Sequence, residues 1–163
     1  MHEQDETHLR RAIEVSVAAR RHGNHPFGAI LVDREGRVVA EAENTVVTDR
    51  DVTAHAETNL VRQAGATGSP VEMAGCTLYS SCEPCAMCSG AVFWAGIGRV
   101  VFALSVEGLL AFFDNRPDAP LNRAGSRRLL TPEDGVQVIG PALEDEAAAA
   151  HAGFWAGGGG STT

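Results

Sequence analysis

Between Leu78 and Gly90 the chain reads Leu-Tyr-Ser-Ser-Cys-Glu-Pro-Cys-Ala-Met-Cys-Ser-Gly, and three of its four cysteines fall there, at 82, 85 and 88. Two intervening residues let a pair of thiolates converge on one soft metal ion. Upstream, Thr53-Ala-His-Ala-Glu57 offers a neutral nitrogen ligand with a carboxylate two residues on. Together the two stretches read as one zinc site with a general acid/base beside it. Spacing alone leaves the pairing open, because Cys82 stands as far from Cys85 as Cys85 does from Cys88.

The order of elements around the two stretches bears on the pairing. Proline is favoured at the first helical position, so Pro84 through Ala95 is expected as a helix ended by Gly96 and Gly98. That start sets Cys85 and Cys88 on one helix end and leaves Cys82 behind as a neighbour. Thr77 to Ser80 before it and Arg99 to Leu104 after it read as strands. A strand, a helix and a strand form a βαβ unit with parallel pairing. His55 and Glu57 fall in a second helix over 53–64, capped by Asp51 or Thr53 and stopped by Gly65.

The remaining chain fills out one layered domain. Leu9, Ile13, Ser16, Val17 and Arg20 recur at helical spacing over 5–22, and Gly23-Asn24 closes that helix. Residues 26–32 and 37–44 make a hairpin across the turn Asp33-Arg-Glu-Gly36, and 45–52 reads as loop. Residues 107–113 suggest a short helix, 135–139 a late strand, and Leu143 to Trp155 an alanine-rich helix anchored by Phe154 and Trp155. The expected fold class is α/β, an αβα sandwich on a mixed sheet, with a single domain over 1–156 and a flexible glycine-rich tail over 157–163.

Composition excludes several classes. No apolar run approaches the ~20 residues of a membrane span. The acidic N-terminus lacks the basic region and apolar core of a signal peptide, so the cytoplasm is the expected compartment. There, cysteines serve as ligands or free thiols rather than disulfides. Thirteen basic against 21 acidic residues give a net charge of −8, which repels phosphate backbones and argues against a nucleic-acid partner. The nearest approach to a local basic patch, Arg123, Arg127 and Arg128, is expected to be a solvated loop.

Both ligand stretches are expected at helix N-termini, whose positive ends stabilise thiolates. One neutral His and two thiolates cancel the charge of Zn²⁺, and three protein ligands leave a fourth position open, the catalytic pattern. Residues two apart on a helix point in separate directions, so Glu57 does not chelate with His55 and is cast as a proton carrier.

His55-Ala-Glu57 with Pro84-Cys85-Ala-Met-Cys88 resembles the H-x-E … P-C-x-x-C signature of the zinc nucleobase and nucleoside deaminases. The resemblance implies His55, Cys85 and Cys88 as ligands of one Zn²⁺ per subunit, Glu57 as catalytic acid/base, and Cys82 as a non-ligand neighbour. Pro26-Phe-Gly-Ala29, Asn44 and Ser81-Cys-Glu-Pro-Cys85 look like the branch of guanine deaminases and tRNA adenosine deaminases, and Phe93-Trp-Ala95 leans to guanine deaminase. This implies the cytidine deaminase fold, a three-layer αβα sandwich, and a homodimer. It further implies Asn44 and the Ala56 N–H as contacts to the base, with Trp94 and Phe27 either beside the base or in the core. Asp114 follows Phe112-Phe113 as an Asp that contacts the purine and assists proton transfer. The chain lacks the aromatic, basic C-terminus of tail-swapping guanine deaminases. The expected activity is hydrolytic deamination of guanine or a related amino-heterocycle, with tRNA adenosine or cytosine and nucleoside deamination as alternatives. A non-catalytic deaminase-fold binding module is the rival from another class.

Overall fold

In the computed structural model, which describes residues 3–66, 73–113 and 124–155, helix α1 (Glu3–Arg21) precedes a hairpin of β1 (Gly28–Val32) and β2 (Val38–Glu43). There follow α2 (Val46–Asp49), α3 (Ala56–Ala66), β3 (Thr77–Cys82), α4 (Ala86–Ala95), β4 (Arg99–Leu104), α5 (Val106–Leu110), α6 (Ser126–Leu129), β5 (Gln137–Ile139) and α7 (Glu144–His151). The strands form one sheet in the order β2-β1-β3-β4-β5. β1 pairs antiparallel with β2 and β3, whereas β3, β4 and β5 run parallel. The expected hairpin and βαβ unit are both present, and the sheet is mixed.

Strand alternation divides the core between two faces. Ile30, Val32, Tyr79, Val101 and Ala103 meet Leu9, Ala12 and Ile13 of α1 and Ala147 of α7. Their neighbours Ala29, Leu31, Leu78 and Val100 turn the other way, onto Ala56, Leu60 and Ala64 of α3 and Val92 of α4. The result is three layers, α1 and α7 against the sheet against α3 and α4. β1 lies so close to α1 that a Cβ on Gly28 would sit 2.4 Å from the Ser16 amide nitrogen. At the far end of α1, Asp5 is buried against Arg99 Nη2 at 2.8 Å and the Tyr79 hydroxyl at 2.7 Å. Among the described residues no helix is long and apolar enough to cross a membrane.

Five local expectations need correction. α4 begins at Ala86 with Cys85 as its N-cap residue, so Pro84 lies outside the helix rather than at its first position. α3 begins at Ala56, since Asp51 spends its carboxylate on the Thr53 amide and hydroxyl, and it runs past Gly65 to Ala66. The stretch 45–52 contains the single-turn α2. The helix at 107–113 divides into α5 and a 3₁₀ turn over Ala111–Phe113, and Phe154 and Trp155 follow α7 instead of ending it.

Candidate active site

β3 and β4 are parallel, so their carboxyl ends share one edge of the sheet, and ligands favour that edge in open α/β sheets. The start of β1 and the end of β2 reach the same edge because both belong to the antiparallel hairpin. His55 immediately precedes α3, its carbonyl accepting the first helical bond from Asn59 N–H at 2.9 Å. Cys85 caps α4, and Cys88 lies one turn in. Both ligand stretches therefore sit at helix N-termini, as their sequence implies.

The three side chains meet. His55 Nδ1 lies 3.7 Å from Cys85 Sγ and 3.6 Å from Cys88 Sγ, and the two sulfurs are 3.6 Å apart. Tetrahedral zinc with ~2.3 Å bonds to sulfur and ~2.0 Å bonds to nitrogen needs roughly 3.8 Å between sulfurs and roughly 3.6 Å from sulfur to nitrogen. The donor set and its spacing fit that ion. Cys82 stays outside this group. It ends β3 in the apolar cluster that holds Tyr79, Val101 and Leu104, and burial, with the Glu57 charge adding to it, pushes its thiol well above the ordinary range.

Protonation follows from packing. Contacts with Cys88 and then His55 hold the Cys85 thiol down at about 4, close to a permanent thiolate. The Cys85 contact in turn pushes the His55 imidazole up. Glu57 is buried, 3.2 Å from Cys88 Sγ through Oε2, and Oε1 accepts the Ser80 hydroxyl at 2.8 Å. Burial raises its carboxyl above the usual range, with the Cys85 thiolate adding to the effect. A carboxyl of raised affinity for protons, held against the metal-binding atoms, is suited to carry them. Ser80 was not foreseen, because an inward-facing strand serine carries no spacing signal.

The outer residues divide. Asn44 is buried just after β2; its side-chain oxygen accepts Val46 N–H at 3.1 Å, and its backbone N–H donates to the Phe27 carbonyl at 3.0 Å. Ala56 is wholly buried in the first turn of α3. Phe27 is half-buried between both cores, 5.1 Å from the His151 ring and 6.2 Å from Trp155. Trp94 is not brought to the cluster. Cys88 and Val92 mark the inward face of α4, and Trp94 falls on the opposite face, 85 % exposed beside Phe93. Met87, between the two sulfur ligands, is likewise at the surface. Asp114 lies outside the described residues.

Beside the site stands an aromatic cluster that the sequence did not announce. Trp155 packs on Phe113 at 4.7 Å, His25 at 5.4 Å and His151 at 6.0 Å. Its indole N–H donates to His151 Nδ1 at 3.2 Å, which leaves the His151 proton on Nε2. Burial lowers the proton affinity of the His25 ring, and the charge of His55 lowers it further.

Known proteins agree with this geometry. Residues 2–104 match the family model for the cytidine and deoxycytidylate deaminase zinc-binding region. A "Probable cytosine deaminase" of Schizosaccharomyces pombe is 47% identical over 157 residues, covering 96% of this chain and 95% of that one. The guanine deaminase of Bacillus subtilis is 41% identical over 99 residues, covering 60% and 63%. The solved guanine deaminase of Nitrosomonas europaea superposes with a TM-score of 0.73 at 28% identity, covering 93% of this chain and 84% of that one. Its αβα layers, its mixed sheet and its His-Cys-Cys group place the chain in the cytidine and deoxycytidylate deaminase family of zinc-binding proteins.

Proposed function

We propose that the chain is a hydrolytic deaminase of a free aminated nucleobase, with cytosine as the lead substrate and guanine as the second. One observation carries the choice. The match to the fungal cytosine deaminase spans 96% of the chain and so includes His151 and Trp155, whereas the match to the Bacillus guanine deaminase covers 60%. The C-terminal segment that carries the aromatic cluster thus falls within the first match. Guanine is kept because the Nitrosomonas enzyme covers 93% of the chain in structure. A surface of net charge −8 speaks against tRNA as substrate.

His55, Cys85 and Cys88 would hold the zinc, which when bound supplies an acidified water next to the ring carbon that carries the amine. Glu57 takes the proton of that water, gives a proton to the adjacent ring nitrogen, and then helps protonate the departing ammonia. Ser80 steadies Oε1 so that Oε2 faces the reacting atoms. Asn44, held by its amide oxygen, has Nδ2 to donate to a ring carbonyl. The Ala56 N–H, an unpaired donor of the first helical turn, meets the base. Phe27 flanks the ring. Asp114 is assigned to the edge of the base on resemblance alone. The outward face of α4, with Met87, Phe93 and Trp94, is the surface we assign to a second copy in a homodimer.

Ammonia release from cytosine, guanine, cytidine and a tRNA anticodon stem-loop tests this reading. Cytosine is expected to give the highest kcat/KM. A higher value for guanine would reverse the ranking, and no release from any of them by the zinc-loaded protein would overturn the enzymatic reading.

A further inference from the structure

The turn that presents the thiolates contains a buried charge with no place in the chemistry. The Glu83 side chain, between Cys82 and Pro84, is 1 % exposed. Its Oε1 accepts the Arg127 amide at 3.0 Å, and its Oε2 accepts Arg127 Nη2 at 2.9 Å, Arg127 Nε at 3.1 Å and the Val106 amide at 3.3 Å. The backbone is tied across the same contact, with Glu83 N–H on the Leu104 carbonyl at 2.8 Å and Ser126 N–H on the Pro84 carbonyl at 3.0 Å. Arg127 also reaches Glu107 at 2.7 Å and lies over the Phe102 ring at 5.4 Å. An independent sign of fit is Gly125. A Cβ there would fall 2.3 Å from Glu83 Oε1 and 2.8 Å from Val106 Cγ2, so the backbone of 125 is pressed directly on the carboxylate. The basic group at 123–128 is therefore not a solvated loop throughout, because Arg127 pairs with a carboxylate buried under β4.

We propose that Arg127 is a positioning residue for the metal centre. Through Glu83 it fixes the turn from Cys82 to Cys85, and so sets where Cys85 and Cys88 meet His55. The inference rests on the reading that these three residues hold zinc. Metal-ligand distances tolerate shifts of only ~0.2 Å. A buried carboxylate stripped of its cation has to gain a proton or turn outward to water. Either response frees the turn two residues before the first sulfur ligand. Lysine would return the charge without the planar fork that engages both sides of the carboxylate.

Transfer of zinc from the loaded protein to a chromophoric chelator at 25 °C, with unfolding midpoints measured alongside, provides the test. One zinc per wild-type chain is required first, and its absence would overturn the site reading itself. Arg127→Ala is expected to release zinc roughly 10- to 100-fold faster, the usual effect of losing a group that orients a ligand. Arg127→Lys should fall between the two. Gly125→Ala, which keeps both charges but displaces the carboxylate, should also accelerate release. Arg128→Ala, which removes the same charge from the exposed side of α6, should release zinc at the wild-type rate. If Arg127→Ala is too unstable to isolate, Arg127→Lys and Gly125→Ala decide the matter. Wild-type release rates in variants with lowered unfolding midpoints would overturn the proposal and leave Arg127 a stabilising residue only.

Discussion

On one side of the site, four side chains hang from two helix N-termini on a single face of the sheet: His55 and Glu57 from α3, Cys85 and Cys88 from α4. They are polar, their reactive atoms lie 3.2–3.7 Å apart, and each alters the proton affinity of the next. On the other side, rings from the start of β1, the turn after α5 and the end of α7 pack at centroid separations of 4.7–6.2 Å. The first region is defined by direction and charge, and moving one atom changes its chemistry. The second is defined by shape, and a ring can be exchanged for another of similar volume at modest cost. Specificity for chemistry and specificity for substrate are thus built from different materials.

The sharpest way to break this contrast is Glu57→Gln. Gln keeps the volume and the hydrogen bond from Ser80 but cannot carry a proton between water and ring. kcat is expected to fall by roughly 10²- to 10⁴-fold, the usual worth of positioned acid/base catalysis, while bound zinc stays at the wild-type level. Ammonia release and metal content measured on one preparation check both halves. Near-normal kcat would remove Glu57 from its role, and loss of zinc would make it a ligand.

The same contrast explains what could be read from sequence. Helical and strand spacing gave the layers, and His55-x-Glu57 with Cys85-x-x-Cys88 gave the metal group, because those contacts are local or carried by a fixed short spacing. The aromatic side has no such spacing. His25 and Trp155 stand 130 positions apart and meet only because α1 and α7 lie side by side, with Arg20 Nη1 donating to the Ala150 carbonyl at 2.8 Å. Arg127 was misread for the same reason, since its partner Glu83 lies 44 positions away. Pro84 pointed to the right helix, but its start lay two residues further on, where the chain turns from strand to helix through Cys85.

The aromatic region makes its own prediction, with pH as the probe. His151 is 1 % exposed, and burial, with Arg20 nearby, lowers its imidazole to about 4. The neutral ring is thus the folded form. The unfolded chain takes up a proton near pH 6.5, the ordinary value for histidine. Between pH 6.5 and 4 the unfolded state binds more protons, so stability falls on acidification, by about 3 kcal/mol over the window. His151→Gln keeps an acceptor for the Trp155 indole and does not titrate. At pH 7 the variant should be the less stable protein, having lost ring contacts. By pH 4.5 that deficit should shrink or reverse. Urea unfolding of both proteins across this range isolates the effect, since all other titrating groups are common to them. A stability difference independent of pH would mean that His151 takes up its proton without cost inside the fold.

The smallest effect belongs to Cys82. Three equally spaced cysteines allow two pairings, and the choice is made where the strand ends and the helix begins. Cys82 is the last residue of β3 and is buried in the apolar cluster that holds Tyr79, Val101 and Leu104, outside the group of three ligand atoms. Cys85 comes after the turn and is aimed at His55 by the start of α4. Cys82→Ala removes one buried sulfur from an apolar cluster, worth about 1 kcal/mol of stability, and is expected to retain one zinc with kcat within about threefold of wild type, a change of under ~1 kcal/mol in the barrier. Cys88→Ala differs by one sulfur as well, yet should lose the zinc and the activity together. Metal content is the deciding measurement. If Cys82→Ala sheds zinc while Cys88→Ala keeps it, Cys85 pairs with Cys82 instead, and the strand end supplies the second sulfur.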